Sequence, residues 1–158
     1  MIRPHYAPPP KHAEANAIVC DCVSRLIWGK AGEFDPALSS TMAVLDGRDM
    51  IAGVVFHGYH PDAGVIELSS AARSPRWLQP HVIRAMFHLP FDLLDCQMIV
   101  LRVSERNETM CSIARRFGFD GVRIPRLRGR DEDEMVFTLT DEQWRAHRLY
   151  KSGLAKYH

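Results

Sequence analysis

A chain of 158 residues, 46% of them apolar, has the size of one compact domain and can bury a core without metals or disulfides. Its 20 Lys and Arg against 19 Asp and Glu leave a formal net charge of +1, without the strongly basic balance of a nucleic-acid binder. Residues 1–10 lack the apolar core of a signal peptide and no apolar stretch reaches bilayer length, so the expectation is a cytoplasmic protein with no membrane contact.

Residues 1–10, with four prolines, read as an extended arm, polyproline-like at Pro8-Pro9-Pro10. The domain proper spans 11–150, and 151–158 is a tail. In 11–27, Ala15, Ile18, Val19, Cys22, Val23, Leu26 and Ile27 recur at three- and four-residue spacing and predict a helix, ended by Gly29 and Gly32. A loop around Pro36 leads to a strand at 41–46. Asp46-Gly47 predicts a hairpin with 50–57, and the turn at 60–64 leads to a third strand at 65–70.

Residues 71–77 read as a loop and 78–94 as a helix, with Pro80 in its first turn and Pro90 bending it. The apolar run 97–103 predicts a strand buried on both faces. A helix at 107–117 ends at Gly118. Two last strands, 122–124 and 135–139, flank a charged stretch at 126–134. Thr140 with Gln143 is a capping-box pattern opening a helix to about residue 150. From 65 to 103 the order strand, helix, strand predicts parallel pairing. The four cysteines have no second CxxC or HxxxH partner, so they read as reduced, mostly buried thiols, with no metal expected.

The segment Asn107-Glu-Thr-Met-Cys-Ser-Ile-Ala-Arg-Arg-Phe-Gly118-Phe119 resembles the N-x-x-(A/S)-x-x-(L/V)-x-x-x-x-G-F motif of the GNAT (Gcn5-related N-acetyltransferase) family, with Met110 replacing the usual small residue. MIVLRVSERN resembles the family's fifth strand and its exit. GVIELSSAARSPRWLQPHVIRAMF looks like its fourth strand entering the cofactor helix, and FTLTDEQW its last strand. The resemblance spans residues 13–144. It implies an α+β sandwich: a mixed, mostly antiparallel sheet of about six or seven strands, flanked by about four helices, with parallel fourth and fifth strands splaying apart.

The resemblance further implies an N-acetyltransferase that takes acetyl-CoA and a primary amine, on a small molecule, a lysine or a protein N-terminus. The cosubstrate would lie where strands 65–70 and 97–103 part, past Ser70 and Ser104, its pantetheine amides pairing with exposed backbone near Leu68. Its pyrophosphate would meet residues 73–79, with charge from Arg73 and Arg76 and contacts from Ser74, Trp77 and Leu78. That loop departs from the family's (Q/R)-x-x-G-x-(G/A): it has no glycine, and Pro75 lacks an N–H donor. In this it is similar to members encoded by phages and prophages.

Asn107 and Met110 would flank the pantetheine arm, Asn107 also serving as helix N-cap. Glu67 stands where many family members place their general base, and burial would raise its pKa. Backbone N–H groups of Ser69 and Ser70 would face the oxyanion. The family's thiolate-protonating tyrosine is Ala114 here, leaving Ser104, Cys111, Ser112 or water. His57 and His60 are alternative bases or plain turn residues. Trp28, Phe34 and Met42 are acceptor lid or core.

Arg115, Arg116, Arg123, Arg126, Arg128 and Arg130 read as a solvated, self-neutralised stretch or as a phosphate contact. Two other functions fit the residues. One is a GNAT-shaped nucleic-acid modifier resembling the phage Mom group, and the other is a non-catalytic binding module. A homodimer is the assembly considered.

Overall fold

The computed structural model describes residues 1–7 and 13–155. The polyproline expectation at 8–10, the start of the first helix at 11–12 and the end of the tail at 156–158 lie outside them. The elements run β1 (Ile2–Ala7), α1 (Ala13–Trp28), β2 (Ser40–Asp46), β3 (Asp49–His60), β4 (Val65–Ala72), α2 (Pro80–His88), β5 (Met98–Ser104), α3 (Glu108–Phe117), β6 (Asp120–Ile124), β7 (Glu134–Thr140), α4 (Asp141–Ala146) and α5 (Arg148–Ala155). They build one seven-stranded sheet in the order β1-β2-β3-β4-β5-β7-β6. All pairs are antiparallel except β4 with β5, as the strand–helix–strand order predicts.

Four differences from the sequence reading have physical causes. The first part of the expected arm is an edge strand, β1, paired in register from Ile2↔Asp46 to Ala7↔Thr41. Ile2 and Tyr6 pack on the core, Tyr6 donates its hydroxyl to Ala85 O, and an edge strand tolerates Pro4. The helix expected at 78–94 stops at His88 and continues as a wider π-turn over Leu89–Leu93, because Pro90 has no N–H to give the α ladder. Strand β5 is not buried on both faces. Ile99, Leu101 and Val103 are buried, whereas Arg102 is exposed and Met98 and Val100 are half-buried. The Thr140–Gln143 capping box is present, but His147 is extended and starts a second helix, α5, instead of a tail.

The main core lies on the sheet face covered by α2 and α3, where Val54, Phe56, Ile66, Leu68, Ile99 and Phe137 meet both helices. Among the described residues the opposite face carries α1 alone, which covers β2, β3 and β4. There α1 approaches closely over Gly53, where a Cβ would stand 2.8 Å from Val23 and 3.0 Å from Val19. The α1 face over β5 and β7 has no helix among the described residues, and the polar groups of the sheet gather on it.

Candidate active site

The parallel ladder between β4 and β5 holds for three pairs, ending at Glu67↔Val100. Beyond them β4 runs on to Ala72 against β3, and β5 to Ser104 against β7, with no bond between them. The parting expected past Ser70 and Ser104 thus begins earlier. Trp77, Leu78, Met110 and Phe117 sit around a cavity of about 40 Å³ on the core side of this wedge. On the other side the gap opens into a cleft of about 1200 Å³.

Glu67, Leu68, Ser69, Ser70, Ser104, Asn107 and Met110 all line that cleft, as the sequence reading expects. Asn107 caps α3, accepting from Met110 N at 3.1 Å, and Gly118 closes the helix in the left-handed region at φ 116°. The other cofactor candidates are placed elsewhere. Arg73 directs its guanidinium to Met50 O at 3.4 Å, and Arg76 pairs with Asp46 at 2.7 Å, both toward the β2–β3 hairpin. Ser74 accepts from Arg76 N at 3.3 Å. Trp77 and Leu78 line the small apolar cavity rather than the cleft. With Pro75 turning the loop, its two cations bind the sheet edge. The loop therefore presents neither arginine to the cleft.

Glu67 stands at the apex of the splay, its side chain 27% exposed. Burial raises its carboxyl above the ordinary 4.5; the nearby Arg102 cation lowers it and the Glu134 carboxylate raises it. His57 is its cross-strand partner on β3, and a bulge with Gly58 at φ 61° follows at once. Such bulges re-aim side chains at sites. His57 Nε2 shares a 2.8 Å hydrogen bond with Ser69 Oγ, and its Nδ1 lies 3.9 Å from Glu67, too far to bond. Burial first and Arg102 second push the imidazole down to about 4, so it is neutral at pH 7.

The remaining candidates separate cleanly. His60 is exposed and accepts from Ala63 N. Met42 is fully buried core, whereas Trp28 and Phe34 line the cleft with ring centroids 5.6 Å apart. Ser104 donates to Glu132 at 2.6 Å, Cys111 is buried against Ser104 O, and Ser112 accepts from Arg116. Among the described residues no tyrosine lines the cleft, and Ala114 is buried. All four cysteines are free and buried, and no group of three or more metal-ligating side chains gathers among the described residues.

Sequence reasoning missed an ion network on the far wall. The buried Glu134 accepts from Arg102 Nε and Nη2 at 3.0 and 2.9 Å and from Arg128 at 3.0 Å. Glu132 meets Arg106 at 3.2 Å and Arg128 at 3.3 Å. Arg102 is the only charge in an apolar run, on the same strand face as Ser104, and that parity is the signal that could have found it. Of the other arginines, Arg123 pairs with Glu105 and Asp133, and Arg115 lies over the Phe137 ring. The charged stretch is therefore largely self-neutralised.

No protein-family model matches the sequence, and no curated protein matches it either. Solved structures do match. A GCN5-related N-acetyltransferase from Brucella melitensis superposes at TM-score 0.65 with 18% identity, covering 98% of this chain and 81% of that one. Mutant forms of the spermidine/spermine N-acetyltransferase of Vibrio cholerae give 0.68 at 11% identity, covering 96% and 98%. A dodecameric structure of the Vibrio cholerae spermidine N-acetyltransferase gives 0.67 at 12%, covering 90% and 95%. With its splayed parallel pair, one seven-stranded sheet and this likeness across nearly the whole chain, the protein has the GNAT acetyltransferase fold.

Proposed function

We propose that this chain is an N-acetyltransferase that moves an acetyl group from acetyl-CoA to a primary amine by direct attack, with Glu67 as general base. The observation that carries the reading is a half-buried carboxylate of raised pKa at the point where β4 and β5 part. The cleft suits a pantetheine arm, because the β5-facing backbone of Leu68–Ala72 has no strand partner beyond Glu67. At the phosphate end the reading calls on helix α2, whose N-cap Gln79 makes no side-chain cap; Pro80 has no N–H, the N–H groups after it attract anions, and no α2 residue is among those that line the cleft.

When bound, acetyl-CoA supplies the activated acyl carbon. Glu67 takes the proton the amine must lose, and whichever of the consecutive residues Ser69 and Ser70 turns its backbone N–H away from β3 offers it to the developing oxyanion. Asn107 and Met110 hold the start of α3 against the arm. With Ser104 committed to Glu132, the departing thiolate takes its proton from water. The neighbours named as acetyltransferases, among them one Vibrio cholerae spermidine N-acetyltransferase seen in two structures, support the reaction class. A cytoplasmic location and self-association, as in the dodecameric neighbour, go with this reading.

Incubation with acetyl-CoA and a mixture of amines is expected to release CoA thiol and yield acetylated amine. CoA alone at a hundredfold excess over its dissociation constant should stabilise the fold by about 2.7 kcal/mol in thermal denaturation. No stabilisation at millimolar CoA, with no thiol release, would remove the enzyme reading and leave the binding module.

A further inference from the structure

We propose that the acceptor is an amino acid with an apolar side chain, its carboxylate held by Arg102 and Arg128 while its amine faces Glu67. This rests on the transferase reading for the role of the amine. The far wall of the cleft carries three guanidinium groups, of Arg102, Arg106 and Arg128, against the two carboxylates of Glu132 and Glu134. Glu67 and Glu33 line the same cleft, so over the whole lining three guanidiniums face four carboxylates, and Arg102 and Glu67 feel each other electrostatically.

The donors are not all spent. Arg102 gives Nε and Nη2 to a single oxygen of Glu134, and Arg128 gives Nη1 to Glu134 while its Nε stands 3.3 Å from Glu132 as an ion pair. Arg102 Nη1 and Arg128 Nη2 have no partner among the described residues. A network serving stability alone would close on itself. This one points a planar donor edge, 44% exposed on Arg102, into a cleft. Guanidinium donors fit a carboxylate better than any neutral group of similar size.

The near wall supplies the other half. The α1 end and the loop after it bring Leu26, Trp28 and Phe34 to the same cleft, with Leu26 and Trp28 43% and 41% exposed. Large apolar groups left half-open beside a polar floor favour an apolar side chain. Glu67 and Arg102 lie on one sheet face of neighbouring strands, Arg102 two residues past Val100, the last residue paired with Glu67, at the start of the splay. A polyamine has no carboxylate to engage the free guanidinium donors and forgoes that contact.

The test is ligand-observed NMR titration without acetyl-CoA, using L-leucine, L-phenylalanine, their decarboxylated analogues 3-methylbutylamine and 2-phenylethylamine, and spermidine, followed by thiol-release kinetics with the same panel. The amino acids are expected to bind at least about tenfold more tightly than their analogues and than spermidine, the scale of one charged hydrogen-bond pair. In Arg102→Lys the single ammonium stays with Glu134, the fold is kept, and the ratio of acid to analogue should collapse to below about threefold. Analogues that bind as well as the acids, or tighter binding of spermidine, would overturn the proposal, as would an undiminished ratio in Arg102→Lys. The two readings fail separately: acid-selective binding without thiol release sinks the transferase, and thiol release without acid selectivity sinks the acceptor class.

Discussion

Glu67→Gln is expected to lower kcat for acetyl transfer by about 100- to 10,000-fold, the range of a lost general base. The substitution is close to isosteric, the side chain makes no hydrogen bond among the described residues, and the cation that acts on it, Arg102, is already bonded to Glu134. Urea unfolding should therefore shift by less than about 0.5 kcal/mol, which separates lost chemistry from lost fold. The pH profile carries the sign. Glu67 acts only when ionised, and burial raises its pKa, so activity is present above the folded pKa and lost as pH falls through it. The acid limb should lie above 4.5, the ordinary glutamate value. Because the Arg102 cation lowers that pKa, the limb should move up in Arg102→Gln. Unchanged turnover in Glu67→Gln would leave the neutral His57, bonded to Ser69, as the base to test next.

Trp144→Ala is expected to destabilise the fold by about 3–5 kcal/mol, a large part of the roughly 5–15 kcal/mol available to a domain. Trp144 is 2% exposed. It meets Phe87 edge-on at 4.9 Å and Tyr150 at 5.6 Å, and stacks on Phe117 at 6.3 Å. Removing the indole leaves a cavity among rings fixed by three other elements, α2, α3 and α5, which collapse poorly. The midpoint of urea unfolding should fall with little change in slope. Leu38→Ala, at a residue 75% exposed, should stay within about 0.5 kcal/mol. Phe117 also ends α3, so the variant should weaken CoA binding before it weakens chemistry.

Local rules made much of this legible. Asn107 and Gly118 bracket α3 because one side chain caps the helix start and one backbone adopts the left-handed turn at its end. Thr140 and Gln143 cap α4 reciprocally. Glu67 stood out as a charge in an apolar strand. What escaped was set by contacts distant in sequence. Arg102 reads as a blemish in an apolar run until β7 brings Glu134 to it, 32 residues away. Arg73 and Arg76 carry the charge a phosphate wants, yet Asp46 and Met50 capture them, and no spacing rule says which way a loop arginine turns. Strand β1 was hidden because Pro4 interrupts its propensity, and only the pairing with β2 reveals it.

The central claim is that the unpaired edge of β4 grips a pantetheine arm. Backbone amide NMR during CoA titration tests it most directly. Saturable shifts are expected at Leu68–Ala72, at the first turn of α2 and at Asn107–Met110. Millimolar CoA that leaves the β4 amides unmoved, or that shifts only residues outside the cleft, would contradict the account.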